Sequence, residues 1–426
     1  MKTIKIYGGH RLHGELTVSG SKNACLPALA ATILAPGISR LESVPDLADV
    51  HTMIELLSSL GCKIRREGNA VIVDAHNITS TETPYNLVRR MRASVLIMGA
   101  LLSRTGHAKV AMPGGCAIGT RPIDLHLKGF KALGVNITEN YGCIEGKISG
   151  KLRGATVYLD FPSVGATENL MMLAATTSGV TIIENAAREP EIIDLANMIN
   201  SMGAHINGAG TPTIRITGVQ KLHPTNHRII PDRIEAGTYM VASAITQGNI
   251  VIKNVLPHHL CPVMAKLRET GVRINDYGEA LQVIGPSEII STDINTLPYP
   301  GFPTDMQAQM MALMTLGKGV SVVSETVFEN RFMHVNELCR MGAKIRTDGN
   351  KAVVKGVKKL YGVKVQSSDL RAGAALVLAG LVAEGTTQVS GVNHIDRGYE
   401  HFESKLRNVG ANITRTGAVK KQVIGE

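Results

Sequence analysis

Tryptophan is absent from this 426-residue chain, and aromatic residues make up only 4% of it. Single-stranded nucleic acid is held largely by bases stacked on aromatic rings, so the sequence is poorly equipped for that partner. Long apolar runs are also missing. The longest, Ala372 to Ala383, is broken by two glycines and ends at Glu384-Gly385, short of the ~18 residues a membrane helix needs. The opening stretch Met1-Lys2-Thr3-Ile4-Lys5-Ile6 has neither the apolar core nor the cleavage pattern of a signal peptide. Cysteines number six (Cys25, Cys62, Cys116, Cys143, Cys261 and Cys339), with no C-x-x-C pair and no metal-ligand spacing. These absences lead us to expect a cytoplasmic protein with free thiols, no membrane insertion, no structural metal and no cofactor.

What is present is size and positive charge. A chain of this length exceeds one ordinary core, so two domains are the default. The net charge is +10, which suits either nucleic acid or a small, highly anionic substrate. The basic residues are spread out rather than blocked into runs. With aromatic platforms also scarce, the small anion is the better reading.

One phrase recurs down the chain. It runs Leu60-Gly61-Cys62-Lys63-Ile64, Leu133-Gly134-Val135-Asn136-Ile137, Met202-Gly203-Ala204-His205-Ile206, Thr270-Gly271-Val272-Arg273-Ile274, Met341-Gly342-Ala343-Lys344-Ile345 and Val409-Gly410-Ala411-Asn412-Ile413. The glycines are 73, 69, 68, 71 and 68 residues apart, so six units fill the chain. Each glycine follows an amphipathic stretch and precedes alternating residues and a turn, the pattern of a helix C-terminus followed by a hairpin. Each unit also holds an earlier helix, expected at 24–34, 94–102, 166–177, 234–246, 306–316 and 370–383. These are rich in Ala, Met, Leu and Val nearly all round, the mark of a buried helix. The expected fold is a mixed α/β (α+β) protein of two inside-out, barrel-like domains, each of three repeats around buried helices. From the phase of the repeats, residues 20–229 form the first domain, and residues 1–19 with 230–426 form a discontinuous second one.

Chemistry concentrates where the buried helices begin. Just before or at those starts stand Lys22, Arg92, Arg233 and Arg371, with Ser163, Asp232 and Asp305 at cap-like positions. Serine and aspartate there are ordinary helix caps. Cations are not, because the helix dipole already makes that end positive. Four in equivalent places concentrate positive potential for an anion to bridge. Loops before the surface helices add Arg121, Arg331 and Arg397. Among them lies Pro113-Gly114-Gly115-Cys116-Ala117-Ile118-Gly119-Thr120-Arg121. A lone cysteine is more often a buried structural residue, but this one shares a glycine-rich loop with a cation near a helix N-terminus, which favours the thiolate.

Several long motifs in order resemble the enolpyruvyl transferases over nearly the whole chain. They are Ser19-Gly20-Ser21-Lys22-Asn23-Ala24, Met91-Arg92-Ala93-Ser94, the Cys116 loop through Pro122-Ile123-Asp124-Leu125, and Phe161-Pro162-Ser163-Val164-Gly165-Ala166-Thr167-Glu168-Asn169. The second half adds Pro231-Asp232-Arg233, Tyr299-Pro300-Gly301-Phe302-Pro303-Thr304-Asp305, Phe328-Glu329-Asn330-Arg331-Phe332 and His394-Ile395-Asp396-Arg397-Gly398-Tyr399. The resemblance implies transfer of the enolpyruvyl group of phosphoenolpyruvate to the 3'-hydroxyl of UDP-N-acetylglucosamine, with loss of phosphate, by a monomer. It implies that Lys22, Asn23, Arg92, Arg121, Arg371 and Arg397 hold phosphoenolpyruvate. Arg121, Pro122, Ile123, Asp124 and Leu125, with Ser163, Val164 and Gly165, would line the uridine-diphosphate pocket, with Val327 nearby. Asp305 would meet the 3'-hydroxyl, Arg331 and Asp369 would complete the substrate contacts, and Cys116 would form an adduct and donate a proton. Lys22 and Arg397 join Cys116 and Asp305 as the catalytic set. One departure is Phe161, where some members carry lysine, so a diphosphate contact must come from elsewhere. The sister transferase that uses shikimate 3-phosphate is the nearest alternative, and the Cys116 loop and Phe161–Asn169 stretch argue against it.

A testable consequence concerns the thiol. An anionic phosphonate epoxide should alkylate Cys116 fastest of the six cysteines when UDP-N-acetylglucosamine is present, and Cys116→Asp should resist it. Peptide mapping that finds the label mainly on Cys25, Cys143 or Cys261 would contradict this.

Overall fold

A computed structural model describes residues 2–112, 123–140 and 142–417. The recurrent glycine phrase explains itself first. Gly61, Gly134, Gly203, Gly271, Gly342 and Gly410 all have positive φ, between 93° and 108°. Each closes a surface helix with a backbone turn that a side chain would strain. A strand and its hairpin partner follow, as in Lys63–Glu67 paired antiparallel with Ala70–Asp74.

The buried helices run Lys22–Ala31, Ile97–Thr105, Val164–Ala174, Arg233–Ile245, Gln307–Met314 and Leu370–Val382. Short 3-10 turns at Arg92–Leu96 and Thr304–Met306 lead into the second and fifth. Four are capped by side chains: Ser163 and Asp232 as expected, and also Ser21 and Asp369, accept backbone N–H groups of the first turn. Asp305, expected as a cap, makes no such bond, because its carboxylate is taken by Arg331 and Arg371. Almost every residue of the helix Leu370–Val382 is buried. Around the helices lie six separate sheets among the described residues, one per repeat. Their strands alternate buried and exposed, as in Thr213–Thr217, so one face packs inward and the other meets water. The arrangement is inside-out, with helices within and sheets without. The sheets stay open, and none among the described residues closes into a barrel.

Three strands come from far away in sequence. Thr3–Tyr7 lies antiparallel between Thr386–Ser390 and Asn412–Thr416. His13–Thr17 runs parallel to Asn249–Lys253, and Asn226–Arg228 runs parallel to Ile38–Glu42. Buried apolar side chains gather in two large clusters. One spans Ala24 to Ile229, and the other joins Ile4–Val18 to residues from Ile234 to Ile413. The chain passes between them at Ser19–Ser21. There Gly20 bridges Pro231, Ser21 N–H donates to the Ile230 carbonyl at 2.7 Å, and Asp232 N–H donates to the Ser19 carbonyl at 2.9 Å. This crossing brings the start of the first buried helix against the start of the fourth.

Candidate active site

Asp232 ties those two helix starts together. Its Oδ1 accepts N–H groups from Ile234 and Glu235, and its Oδ2 accepts the Lys22 N–H at 3.2 Å. Lys22, the first residue of its helix, therefore projects where other helices also begin. Its Nζ stands 3.6 Å from an Asp49 carboxylate oxygen. Burial lowers its pKa; Asp49 pulls the other way, and Arg371 and Arg397 add to the lowering.

Asp305, in the 3-10 turn before the fifth buried helix, is the centre of the cluster. Arg331 Nη2 donates to its Oδ1 at 2.6 Å, and Arg371 Nη2 donates to its Oδ2 at 2.9 Å. Burial alone would raise the carboxyl's pKa, yet Arg371 and then Arg331 hold it well below the usual range. Asp305 is thus ionised and ready to accept a hydrogen bond. Arg331 also donates to Thr304 Oγ1 at 2.8 Å, and Thr304 in turn donates to Glu325 at 2.8 Å. Glu325 further accepts the N–H groups of Val327 and Phe328, which fixes the loop leading to Arg331.

Arg371 is 3% exposed. Its Nε and Nη1 are buried with no hydrogen-bond partner, an expensive arrangement for charged donors. Arg397, on the loop before the last surface helix, donates through Nε to Asp49 Oδ1 at 2.8 Å. Lys22, Arg331, Arg371 and Arg397 are therefore gathered around two carboxylates, Asp305 and Asp49.

Other expected residues fall in a second neighbourhood. Ser163 caps the helix Val164–Ala174 through an Oγ contact to Ala166 N–H at 3.3 Å. A Cβ at Gly165 would stand 3.2 Å from the ring of His126, which follows Ile123, Asp124 and Leu125 in sequence. His126 is buried, and Asn169 donates to its Nδ1 at 2.8 Å. Nδ1 is thus an acceptor and the proton sits on Nε2. Arg92, half-buried at its own helix start, adds positive potential here. Asn23 and Val327 are half-buried beside Lys22 and Glu325 respectively. Asp369 is occupied as a helix cap, accepting the N–H groups of Arg371 and Ala372. Phe161 is 43% exposed, and the adjacent Asp160 pairs with Lys128 at 2.7 Å. Cys116, Arg121 and Pro122 lie outside the described residues. Asp49 was missed by sequence reasoning: as an acidic residue in the first turn of the helix Ala48–Ser59, it looks like ordinary dipole compensation.

The sequence profile described as EPSP synthase (3-phosphoshikimate 1-carboxyvinyltransferase) matches residues 6–406. The chain belongs to the EPSP synthase family of enolpyruvyl transferases. Within that family it is 57% identical over 417 residues to the protein named UDP-N-acetylglucosamine 1-carboxyvinyltransferase 2 of Carboxydothermus hydrogenoformans, covering 97% of this chain and 99% of that one. It is 55% identical to the UDP-N-acetylglucosamine 1-carboxyvinyltransferase of Geotalea daltonii, with the same coverage. Among solved structures, the enolpyruvyl transferase NikO from Streptomyces tendae superposes with a TM-score of 0.88 at 26% identity, covering 98% of this chain and 99% of that one. EPSP synthase of Acinetobacter baumannii, at 17% identity, superposes with a TM-score of 0.77 over 98% of this chain and 100% of its own. That likeness concerns the fold alone. Of the four cations expected at the helix starts, Lys22 and Arg371 join the Asp305 and Asp49 cluster, Arg92 lies near His126, and Arg233 is paired with Glu191 at 3.0 Å.

The buried imidazole makes a prediction. Burial first, and Arg92 second, hold the pKa of His126 down at about 3, against 6.5 ordinarily. Between those values the unfolded chain binds a proton that the folded chain refuses, so stability falls as pH drops through that window and is unaffected above it. His126→Gln should flatten the pH dependence of the melting temperature there. His334, also buried and held at about 4, will keep part of the slope. A variant curve parallel to that of the wild type would contradict a neutral His126.

Proposed function

We propose that this chain transfers the enolpyruvyl group of phosphoenolpyruvate to the 3'-hydroxyl of UDP-N-acetylglucosamine and releases phosphate, the first committed step of peptidoglycan synthesis. The observation that carries this reading is Arg371, a buried guanidinium with two unpartnered donors beside Asp305, Lys22 and Arg397. A ligand carrying both phosphate and carboxylate would supply the missing acceptors. The reaction adds the hydroxyl oxygen to C2 and a proton to C3 of an enol phosphate, giving a carbon that bears phosphate and carboxylate together; loss of that phosphate with a proton from C3 then leaves the enol ether. Fixed guanidinium and ammonium groups stabilise such an intermediate better than water does. Asp305, held ionised, accepts the hydrogen of the sugar 3'-hydroxyl as that oxygen attacks.

The remaining roles follow the motif positions. Lys22, Asn23, Arg92, Arg121, Arg371 and Arg397 take phosphoenolpyruvate, and Cys116 supplies the proton and the adduct. Residues 121–125, Ser163, Val164, Gly165 and Val327 take the nucleotide, with Arg331 and Asp369 supporting the site. His126, as a neutral Nε2–H donor beside Gly165, belongs to the nucleotide pocket. Residues 20–229 act as one domain and residues 1–19 with 230–426 as the other, in a monomer of the cytoplasm. No helix among the described residues is long and apolar enough to cross a membrane.

Incubation with phosphoenolpyruvate and either UDP-N-acetylglucosamine or shikimate 3-phosphate tests the assignment. Phosphate should appear with the UDP-sugar, and release only with the shikimate would overturn it. Arg397→Ala should remove a charge-assisted contact of roughly 1.5–3 kcal/mol and lower kcat/KM for phosphoenolpyruvate by about ten- to hundredfold. Unchanged kinetics would remove Arg397 from the site.

A further inference from the structure

A polar thread runs through the apolar core directly behind Arg371. The guanidinium carbon of Arg371 lies 5.3 Å from the centre of the Tyr399 ring, and Tyr399 is 2% exposed. The phenol oxygen stands 2.9 Å from Thr238 Oγ1 and 3.2 Å from Gln309 Nε2. Thr238 gives its own proton to the Ile234 carbonyl at 2.8 Å, so the Tyr399 hydroxyl donates to Thr238 and accepts from Gln309. The same Gln309 amide donates to the backbone carbonyl of Asp305 at 2.9 Å. Three buried helices, Arg233–Ile245, Gln307–Met314 and Leu370–Val382, thus contribute Thr238, Gln309 and Arg371 in turn. Their surroundings are apolar, with Met306 and Met310 fully buried nearby.

Polar groups threaded through such a core are costly unless every member is engaged. Here the engagement is incomplete at two places: Nε and Nη1 of Arg371 have no partner, and neither has Oε1 of Gln309. Lys22 lies close enough to share its positive field, and Arg331 stands on the other oxygen of Asp305. Left to those neighbours, the Arg371 side chain would be pushed away from them. The negative face of a tyrosine ring opposes that push and fixes the plane of the guanidinium.

We propose that Tyr399 is a positioning residue for the transfer reaction, holding the Arg371 guanidinium flat so that Nε and Nη1 face the anionic substrate. Gln309 holds the ring and the backbone of Asp305 in one register. Neither residue touches substrate; both act through groups that do. The ring face is the working part, and the hydroxyl anchors it.

The kinetic effect of Tyr399 rests on the reading of Arg371 as a ligand of phosphoenolpyruvate, so the test has one arm that depends on that reading and one that does not. In the first arm, Tyr399→Leu should raise KM for phosphoenolpyruvate roughly tenfold or more, leave KM for UDP-N-acetylglucosamine within about twofold, and be largely rescued by Tyr399→Phe, which keeps the ring. Gln309→Met should give a smaller rise in the same constant, and it covers the case in which Tyr399→Leu does not fold. Equal rises in both Michaelis constants, or none in either, would overturn the proposal. In the second arm, heteronuclear NMR of the arginine Nε–H groups reads the Arg371 placement without substrate. A ring-shifted Arg371 resonance should be present in the wild type and in Tyr399→Phe and lost in Tyr399→Leu. Its persistence in Tyr399→Leu would also overturn the proposal. A wild type that shows the shifted resonance but does not turn over phosphoenolpyruvate would instead retire the substrate assignment and leave the placement of Arg371 standing.

Discussion

Everything around the candidate site depends on the Asp305 carboxylate and the two guanidinium groups that share it. Arg331 reaches one oxygen and Arg371 the other. They come from distant parts of the chain, and Arg371 stands at the beginning of its own buried helix. Without Asp305 the two nearly buried cations would face each other in a medium of low dielectric, where removing one partner of a buried pair costs about 3–5 kcal/mol. With it, they are held close and still carry surplus positive charge. Asp49 does the same service for Lys22 and Arg397. Two anions thus hold four cations in place, and the surplus is what the proposed anionic substrate would meet.

The fold makes that grouping possible by repetition. Each unit turns its buried helix inward, and the crossing at Ser19–Ser21 sets the start of the helix Lys22–Ala31 against that of Arg233–Ile245. Helix N-termini are already electropositive, so cations placed there add to the field instead of neutralising it. The price in stability is offset by the apolar bulk of the helices, nearly all of whose Ala, Leu and Met side chains are buried. Asn169 with His126 in one half, and Gln309 with Tyr399 in the other, are among the polar groups admitted to those interiors. Each lies next to a helix start that carries proposed site residues.

Much of this was legible in the sequence because the signals were local. Glycine at positive φ recurs in one phrase, so the six units could be counted directly from residues 61 to 410. Lys22, Arg92, Arg371 and Asp305 could be placed at helix starts because an all-round apolar helix announces where it begins. Asp49, Gln309 and Tyr399 could not be found that way. Asp49 sits in an amphipathic helix where an acid is expected on other grounds. Gln309 interrupts an apolar run without breaking its period, and Tyr399 looks like core. Their importance comes from distant neighbours, Arg397 for Asp49 at 348 residues, and Thr238 for Gln309 and Tyr399 at 71 and 161 residues, and only the packed chain shows it. Asp369 gave the opposite lesson: the sequence suggested a substrate contact, and its carboxylate is engaged as a helix cap.

Calorimetric titration of phosphoenolpyruvate alone into the wild type and into Arg371→Ala measures the central claim directly, since it reads anion binding without turnover. If the surplus positive charge around Asp305 is the binding site, the variant should lose at least about tenfold in affinity while keeping its secondary structure. Equal affinities for the two proteins would contradict the account.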